Sequence, residues 1–489
     1  MEAAPALDGH PSVKTATARV AVVGAGISGL VAASILAERG AHVAVFDLGR
    51  GPGGRMSQRR ESIAVPPLGS STEAAVDLPN VEARFDHGAQ YITLSDPNVL
   101  SFLEQRFGGT GALAEWQGRF GVWDAEKGEF TPEELEDAGR AQGGGEAHQG
   151  GNIGFEKRFV GVPGMNALCQ TLLLPSHAAS AANINARFGV QVARADWLEH
   201  KNPTGVTDVD EGTPLSPSWE LFSASGDSLG CFDGLVIGAS YRTMPVLLPD
   251  LPSLAQVRQA LAEVRASPRF AMMLAFAEPL SHVAFDGVDV VGSDVVGWIG
   301  RDSSKPGRAR RDGGQDRAEQ SRADQSRAEE GYQEEQYPEC WVVHSTALYA
   351  SSLLASAPPG RPSPELLARV TDDMWRAVKP ILLGGSGRGG GESVGGVEGN
   401  EGLEPILRKV HRWGGAFPVA GVAAAGEKFL WSEGGRVAAC GDFCVGGPMR
   451  GLVEGAVASG GGLVEGAVAG GMEAGRKVGD ALWLGRCAL

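Results

Sequence analysis

RVAVVGAGISGLVAASILAERGAHVAVFD, Arg19 to Asp47, is the stretch whose reading decides the fold. Arg19–Val23 is a short apolar run of strand length. Gly24-x-Gly26-x-x-Gly29 follows at once, then a dozen apolar and small residues suited to a helix, then a second apolar run, His42–Phe46, that ends on Asp47. The three glycines serve different ends. Gly24 permits a tight turn, Gly26 lets backbone approach a pyrophosphate, and Gly29 lets the helix pack against the strand. The helix start, with Ala25, Ile27 and Ser28, offers free N–H groups and a partial positive charge to phosphates. Asp47, with Leu48 behind it, stands where a carboxylate can accept hydrogen bonds from both hydroxyls of an adenosine ribose. A carboxylate there disfavours a ribose 2′-phosphate, so FAD or NAD is expected rather than NADP. The charge-free run from Val20 to Ala37 is long enough to raise a membrane span, but its glycines and serines suit strand–turn–helix better.

The chain has 489 residues, enough for two to four domains. With 43 basic and 59 acidic side chains the net charge is −16, which disfavours nucleic-acid binding through phosphate neutralisation. Six cysteines scattered through so long a chain suggest a reducing compartment, and an intracellular, cytoplasmic location is expected, with an organelle left open. Cys440 and Cys444 are the one close pair and lack a second pair at metal-ligand spacing, so no metal is expected. Three segments, 138–151, 309–336 and 384–402, are rich in Gly, Glu, Gln or Ser and read as surface insertions; the second lacks an apolar face and is either a loop or a charged helix. Near the C-terminus LVEGAVA occurs twice, at Leu452 and at Leu463, a local duplication rather than a solenoid.

Further apolar runs read as strands: Phe232–Ala239, Arg269–Phe276, Cys340–His344 and Arg436–Cys440. Strands alternating with helical stretches argue for α/β, with a separate antiparallel sheet from the middle of the chain.

Gly53-Gly-Arg-Met56 follows Asp47 closely, and Arg55 is placed to neutralise phosphates. The run from Arg19 to Met56 resembles the FAD-binding start of the flavin amine oxidase superfamily. VAACGDFCVGGPMRGLVEGAVASG, residues 437–460, resembles its C-terminal flavin motif. That resemblance implies FAD, with Gly441 and Asp442 delivered to it by a strand and Glu454-Gly455-Ala456 beginning a helix aimed at the flavin. Glu465 in the second copy is the alternative; Glu454 is favoured because it lies nearer Asp442. Phe85-Asp-His-Gly-Ala-Gln-Tyr-Ile-Thr93, Phe159–Met165, Trp298–Arg308, Cys340–Thr346 and His411-Arg-Trp413 together resemble renalase-like FAD-dependent oxidoreductases. This implies Gly88, Ala89, Gln90 and Tyr91 along the flavin and Val192 against the adenine. It also implies a flavin oxidase that takes hydride from dihydronicotinamides reduced at the wrong ring position and passes electrons to dioxygen, giving hydrogen peroxide.

Side-chain roles are less sharply specified. Gln90 and Tyr91 are either flavin-facing or packing residues. His344 is either a substrate contact or a satisfied core histidine, and Trp298 and Trp413 either line a slot for a planar ring or pack the core. Arg301 and Arg308 suit a substrate phosphate or an exposed loop, and Lys305 would serve an amine oxidase as holder of a water. The alternatives to a renalase-like oxidase are therefore an amine oxidase and a non-catalytic flavin-binding protein, and the oligomeric state is not specified. The expected organisation is a Rossmann-like FAD-binding domain in three parts, 19–95, 185–245 and 430–486, interleaved with an α+β substrate domain, 96–184 and 246–429.

Overall fold

Strand β1 (Arg19–Val23), helix α1 (Ile27–Glu38) and strand β2 (His42–Asp47) form where the glycine pattern predicts them. The computed structural model describes residues 17–66, 80–133, 157–175, 178–199, 218–239, 244–308, 337–357, 360–384, 404–445 and 461–487. The expected insertions 138–151, 309–336 and, apart from Gly384, 384–402 lie outside the described residues, as does the first LVEGAVA copy.

β1 sits between β2 and the Gly234–Ile237 strand, parallel to both. Ile184–Phe188 extends the sheet beyond β2, and Val437–Cys440 extends it beyond Gly234–Ile237, again in parallel. Phe429–Ser432 closes that edge as an antiparallel strand. A central parallel strand is covered on both faces and must be apolar throughout; Val20 to Val23 are all buried.

α1 is buried from Ile27 to Ala37, a stretch without a charged side chain, and its one charge, Glu38, is exposed. The sheet covers one side and the long helix Gly461–Cys487 the other. Small residues allow this contact: a Cβ on Gly471 would collide with the Ser28 carbonyl oxygen, and one on Gly475 would lie 3.0 Å from that of Ala32. A membrane is not needed to account for the apolar run, and no helix among the described residues is long and apolar enough to cross one. The opposite face of the sheet is covered by an antiparallel meander, Val192–Leu198, Ser218–Ser223 and Ser228–Phe232. Trp219 anchors it, fully buried, its indole N–H donating to the Gly435 carbonyl at 2.7 Å.

The second large sheet has seven strands. Its centre is antiparallel: Leu407–Pro418, Ala266–Phe276, Glu339–Ser345, Val296–Arg301 and Gly287–Val291 pair in that order. One pairing, of Gly287–Val291 with Phe120–Asp124, is parallel. Along Ala266–Phe276 the side chains alternate. Phe270, Met272, Leu274 and Phe276 pack with helix Pro364–Leu383 through Val370, Met374 and Val378, whose four-residue spacing makes one helix face. Met273 and Ala275 turn the other way, against Ile63 and Phe85 of the hairpin Arg59–Ala64 and Asn80–Phe85. Nearer its start, this second face of the strand borders the cavity described next.

Candidate functional site

The glycine turn creates the first wall of a cavity of about 570 Å³, well within the size range of small-molecule sites. Gly24 has φ +109° and leaves no room for a side chain, since a Cβ would stand 2.6 Å from the Gly238 carbonyl oxygen. A Cβ on Gly29 would overlap the Gly24 carbonyl oxygen. Gly26 differs: its Cβ would meet nothing within 4 Å, so its bare backbone faces the cavity. Gly26 and Gly53 form a β-bridge, and the Gly53 N–H donates to the Ala25 carbonyl, which brings Gly54, Arg55 and Met56 to the same wall. Asp47 braces the turn. Its Oδ2 accepts from the Ala25 N–H at 2.7 Å and its Oδ1 from the Gly49 N–H at 2.6 Å, and each oxygen keeps a second lone pair. Asp47, Leu48 and Val192 line the cavity, as do Ile27 and Ser28 at the helix start.

The C-terminal end of the chain supplies the facing groups. Asp442, buried, follows the Val437–Cys440 strand into the cavity and forms a bidentate ion pair with Arg55, one arm of which measures 2.6 Å. Arg55 also donates to the Ala416 carbonyl at 3.0 Å. The two residues expected to hold a cofactor separately are thus bonded to each other at its border. Glu454, Gly455 and Ala456 lie outside the described residues. The helix that reaches the cavity here belongs to the second copy, through Leu463, Val464 and Ala467. Glu465 turns away, its carboxylate accepting from the Ser95 N–H, the Ser95 hydroxyl and the Asp96 N–H at 2.6, 2.9 and 2.6 Å. A sequence signal separates the copies: the first runs into three glycines, Gly460–Gly462, whereas the second continues into apolar helical periodicity.

Gly88 and Ala89 line the cavity, the Ala89 N–H bonded to the Arg55 carbonyl. Gln90 and Tyr91 do not, correcting their expected flavin-facing placement. Gln90 is fully buried, donates to the Asp86 and Gly88 carbonyls and accepts from Lys305 Nζ at 3.4 Å. Tyr91 packs against Trp116 and Trp298 with the Arg158 guanidinium over its ring. Trp298 is likewise a core residue, 1% exposed. Ala25, Gly29 and Gly441 shape the turns without lining the space.

The sheet provides the remaining wall. Trp413 and His344 line it, and directly opposed positions share a face: Arg269 with Trp413, and Ala271 with both His344 and His411. The Trp413 indole donates to the His87 carbonyl at 2.9 Å, and His87, His411 and Trp413 form a mutual ring cluster with centroids 4.7 to 5.0 Å apart. Burial, helped by His411, His344 and Arg59, lowers His87 to about 3. Burial and the neighbouring Arg59 and Arg412 lower His411 to about 4. Both rings are neutral at ordinary pH.

Arg301, Lys305 and Arg308 do not line this cavity, and each is paired with carboxylates. Lys305 is fully buried, 2.7 Å from Asp302 Oδ1 and 3.4 Å from Asp86 Oδ2, and Arg308 binds the same two carboxylates. Arg301 stacks on Trp341 between Asp286 and Glu339. The carboxylates that neutralise these cations come from distant positions, which no local reading could supply. The buried thiols are not nucleophiles either, since burial pushes Cys440 up to about 12. Among the described residues no group of three or more His, Cys, Asp or Glu side chains could hold a metal ion.

Residues 22–106 match the family of NAD(P)-binding Rossmann-like domains. Cyclohexylamine oxidase from Brevibacterium oxydans is similar in structure, with 13% identity and a TM-score of 0.53 over 95% of this chain and 99% of that one. An engineered putrescine oxidase is 13% identical, with a TM-score of 0.51 over 94% of this chain and 99% of that one. At such identity the likeness is one of fold.

Proposed function

We propose that the protein is an FAD-dependent oxidoreductase. One observation carries the reading: residues more than 400 positions apart, Gly24, Gly26, Ile27 and Ser28 from one glycine turn and Leu463, Val464 and Ala467 from the C-terminal helix, line one cavity with Arg55 and Asp442. The residues fit a dinucleotide. Open space over Gly26 admits a pyrophosphate against bare backbone, and the α1 N-terminus faces it. Asp47 retains lone pairs for a ribose, and Asp442 and Arg55 can hold hydroxyl or phosphate oxygens by exchanging part of their mutual pairing.

Bound FAD supplies a two-electron acceptor for hydride from a substrate carbon. The chain's own residues bind, orient and exclude water. Gly88 and Ala89 keep one wall close to the ligand, while Trp413 offers an apolar surface to a planar ring. Neutral His87 and His411 support Trp413 without adding charge. No side chain is required as a nucleophile.

In its finer form the reading is renalase-like: a dihydronicotinamide reduced at the wrong ring position is the hydride donor and dioxygen the acceptor, with hydrogen peroxide the product. The order of the motifs from Phe85 to Trp413 supports it. The test is to release and identify the cofactor by denaturation, then mix the yellow protein anaerobically with dihydronicotinamide isomers and with an amine panel. Bleaching by the former and peroxide on admitting air is expected. Bleaching by amines alone would replace this reading with an amine oxidase, and protein that takes up no FAD would refute both.

A further inference from the structure

Other buried cations among the described residues carry carboxylate partners. Lys305 and Arg308 share Asp86 and Asp302, two charges against two. Arg269 is different. It is 7% exposed and lines the cavity, yet it makes no ion pair among the described residues. One guanidinium nitrogen donates to the Ser267 hydroxyl at 3.2 Å and the Pro268 carbonyl at 2.9 Å, both neutral acceptors. Its Nε is buried without a hydrogen-bond partner among the described residues. The Phe417 ring lies beneath the guanidinium at 5.2 Å. The strand register shifts between Ser267 and Arg269, an irregularity of the kind that re-aims a side chain.

An uncompensated buried guanidinium costs stability. Burial alone lowers it, to about 10, so it still carries its charge at neutral pH. Arg269 stands at the cavity wall, and a guanidinium's planar fork suits two oxygens of one anion.

We propose that Arg269 is an oxyanion contact of the cavity, taking a phosphate or carboxylate group of a bound ligand. The inference rests on the cavity being the ligand site proposed above. The oxyanion has two possible sources, the cofactor's pyrophosphate or an anionic group on the substrate. In the second case the substrate is an anion, and a cationic amine is disfavoured at this wall.

The experiment compares wild type with Arg269→Met and Arg269→Lys. Urea unfolding of the ligand-free proteins comes first. Removing an uncompensated buried charge should leave Arg269→Met at least as stable as wild type, whereas a residue needed for structure would lower stability. FAD and riboflavin are then titrated into apoprotein, and inorganic phosphate and benzoate into FAD-loaded protein by calorimetry. A loss of about tenfold or more in FAD affinity, with riboflavin unaffected, assigns the pyrophosphate. The same loss for phosphate or benzoate, with FAD unaffected, assigns a substrate anion; Arg269→Lys should recover part of either. Equal affinities of wild type and Arg269→Met for all four ligands, or a marked loss of stability in Arg269→Met, would overturn the proposal. Wild type that takes up no FAD sinks the functional reading instead, and phosphate and benzoate titrated into apoprotein then decide Arg269 by the same comparison.

Discussion

Gly26→Ala separates ligand binding from folding more cleanly than any other change in the glycine turn. The backbone at Gly26 has φ −75° and ψ 174°, which alanine adopts without strain. The added methyl would meet no protein atom within 4 Å. Two small folding effects oppose each other. A Gly→Ala change stabilises by about 0.4–1 kcal/mol by restricting the unfolded chain. Gly26 also caps α1, where alanine is the poorer residue by roughly 0.5–1 kcal/mol. The apoprotein should therefore stay within about 1 kcal/mol of wild type in urea unfolding. Binding should not be spared, because the methyl occupies the space a pyrophosphate needs. Overpacking costs about 1–3 kcal/mol, which corresponds to roughly a 5- to 150-fold rise in the FAD dissociation constant. Fluorescence titration of apoprotein measures it. Gly29→Ala is the contrasting control: its Cβ would overlap the Gly24 carbonyl oxygen, so stability itself should fall. A Gly26→Ala protein that binds FAD as tightly as wild type would refute the assignment of this wall to the pyrophosphate.

Other outcomes follow from burial and charge. Lys305→Met leaves Asp86 and Asp302 facing Arg308 alone, an uncompensated buried charge worth about 3–5 kcal/mol of lost stability, to be read from thermal melting. Gly471→Leu forces α1 and the C-terminal helix apart at the Ser28 carbonyl and should lower stability more than Gly475→Ala, whose Cβ has 3.0 Å of clearance. His87, lowered to about 3 by burial, binds its proton in the unfolded chain near pH 6.5 but not in the folded protein above about 3. Stability should therefore fall as pH drops from about 6.5 toward 3, by up to about 1.4 kcal/mol per unit for this group. His87→Gln should flatten that slope in urea titrations run at successive pH values. Asp289 has the opposite sign, because burial raises its carboxyl to about 8. Asp289→Asn should gain stability over wild type as pH rises from about 4 to 8 and hold that gain above it.

Much of the fold was legible because it is locally encoded. β1, α1 and β2 follow from apolar runs punctuated by glycine, and Ala266–Phe276, Glu339–Ser345 and Val437–Cys440 appear within a few residues of their expected spans. Of the expected cofactor residues, Gly24, Gly26, Asp47, Arg55, Gly88, Val192 and Asp442 line one cavity. The direction of a side chain was harder to read. Gln90 and Tyr91 follow two cavity-lining residues yet point into the core, since Lys305, Trp116 and Trp298 claim them from elsewhere in the chain. The Asp86–Lys305–Asp302–Arg308 cluster likewise joins segments more than 200 positions apart.

By itself the sequence determined where backbone must turn tightly and which runs must be buried, because steric and hydrophobic demands act over a few neighbouring residues. Tertiary structure alone decided which side chains meet at the cavity, which cations among the described residues carry carboxylate partners, and that Arg269 carries none among them. Charge compensation and cavity lining depend on distances between strands and helices, and those exist only once the sheets have paired.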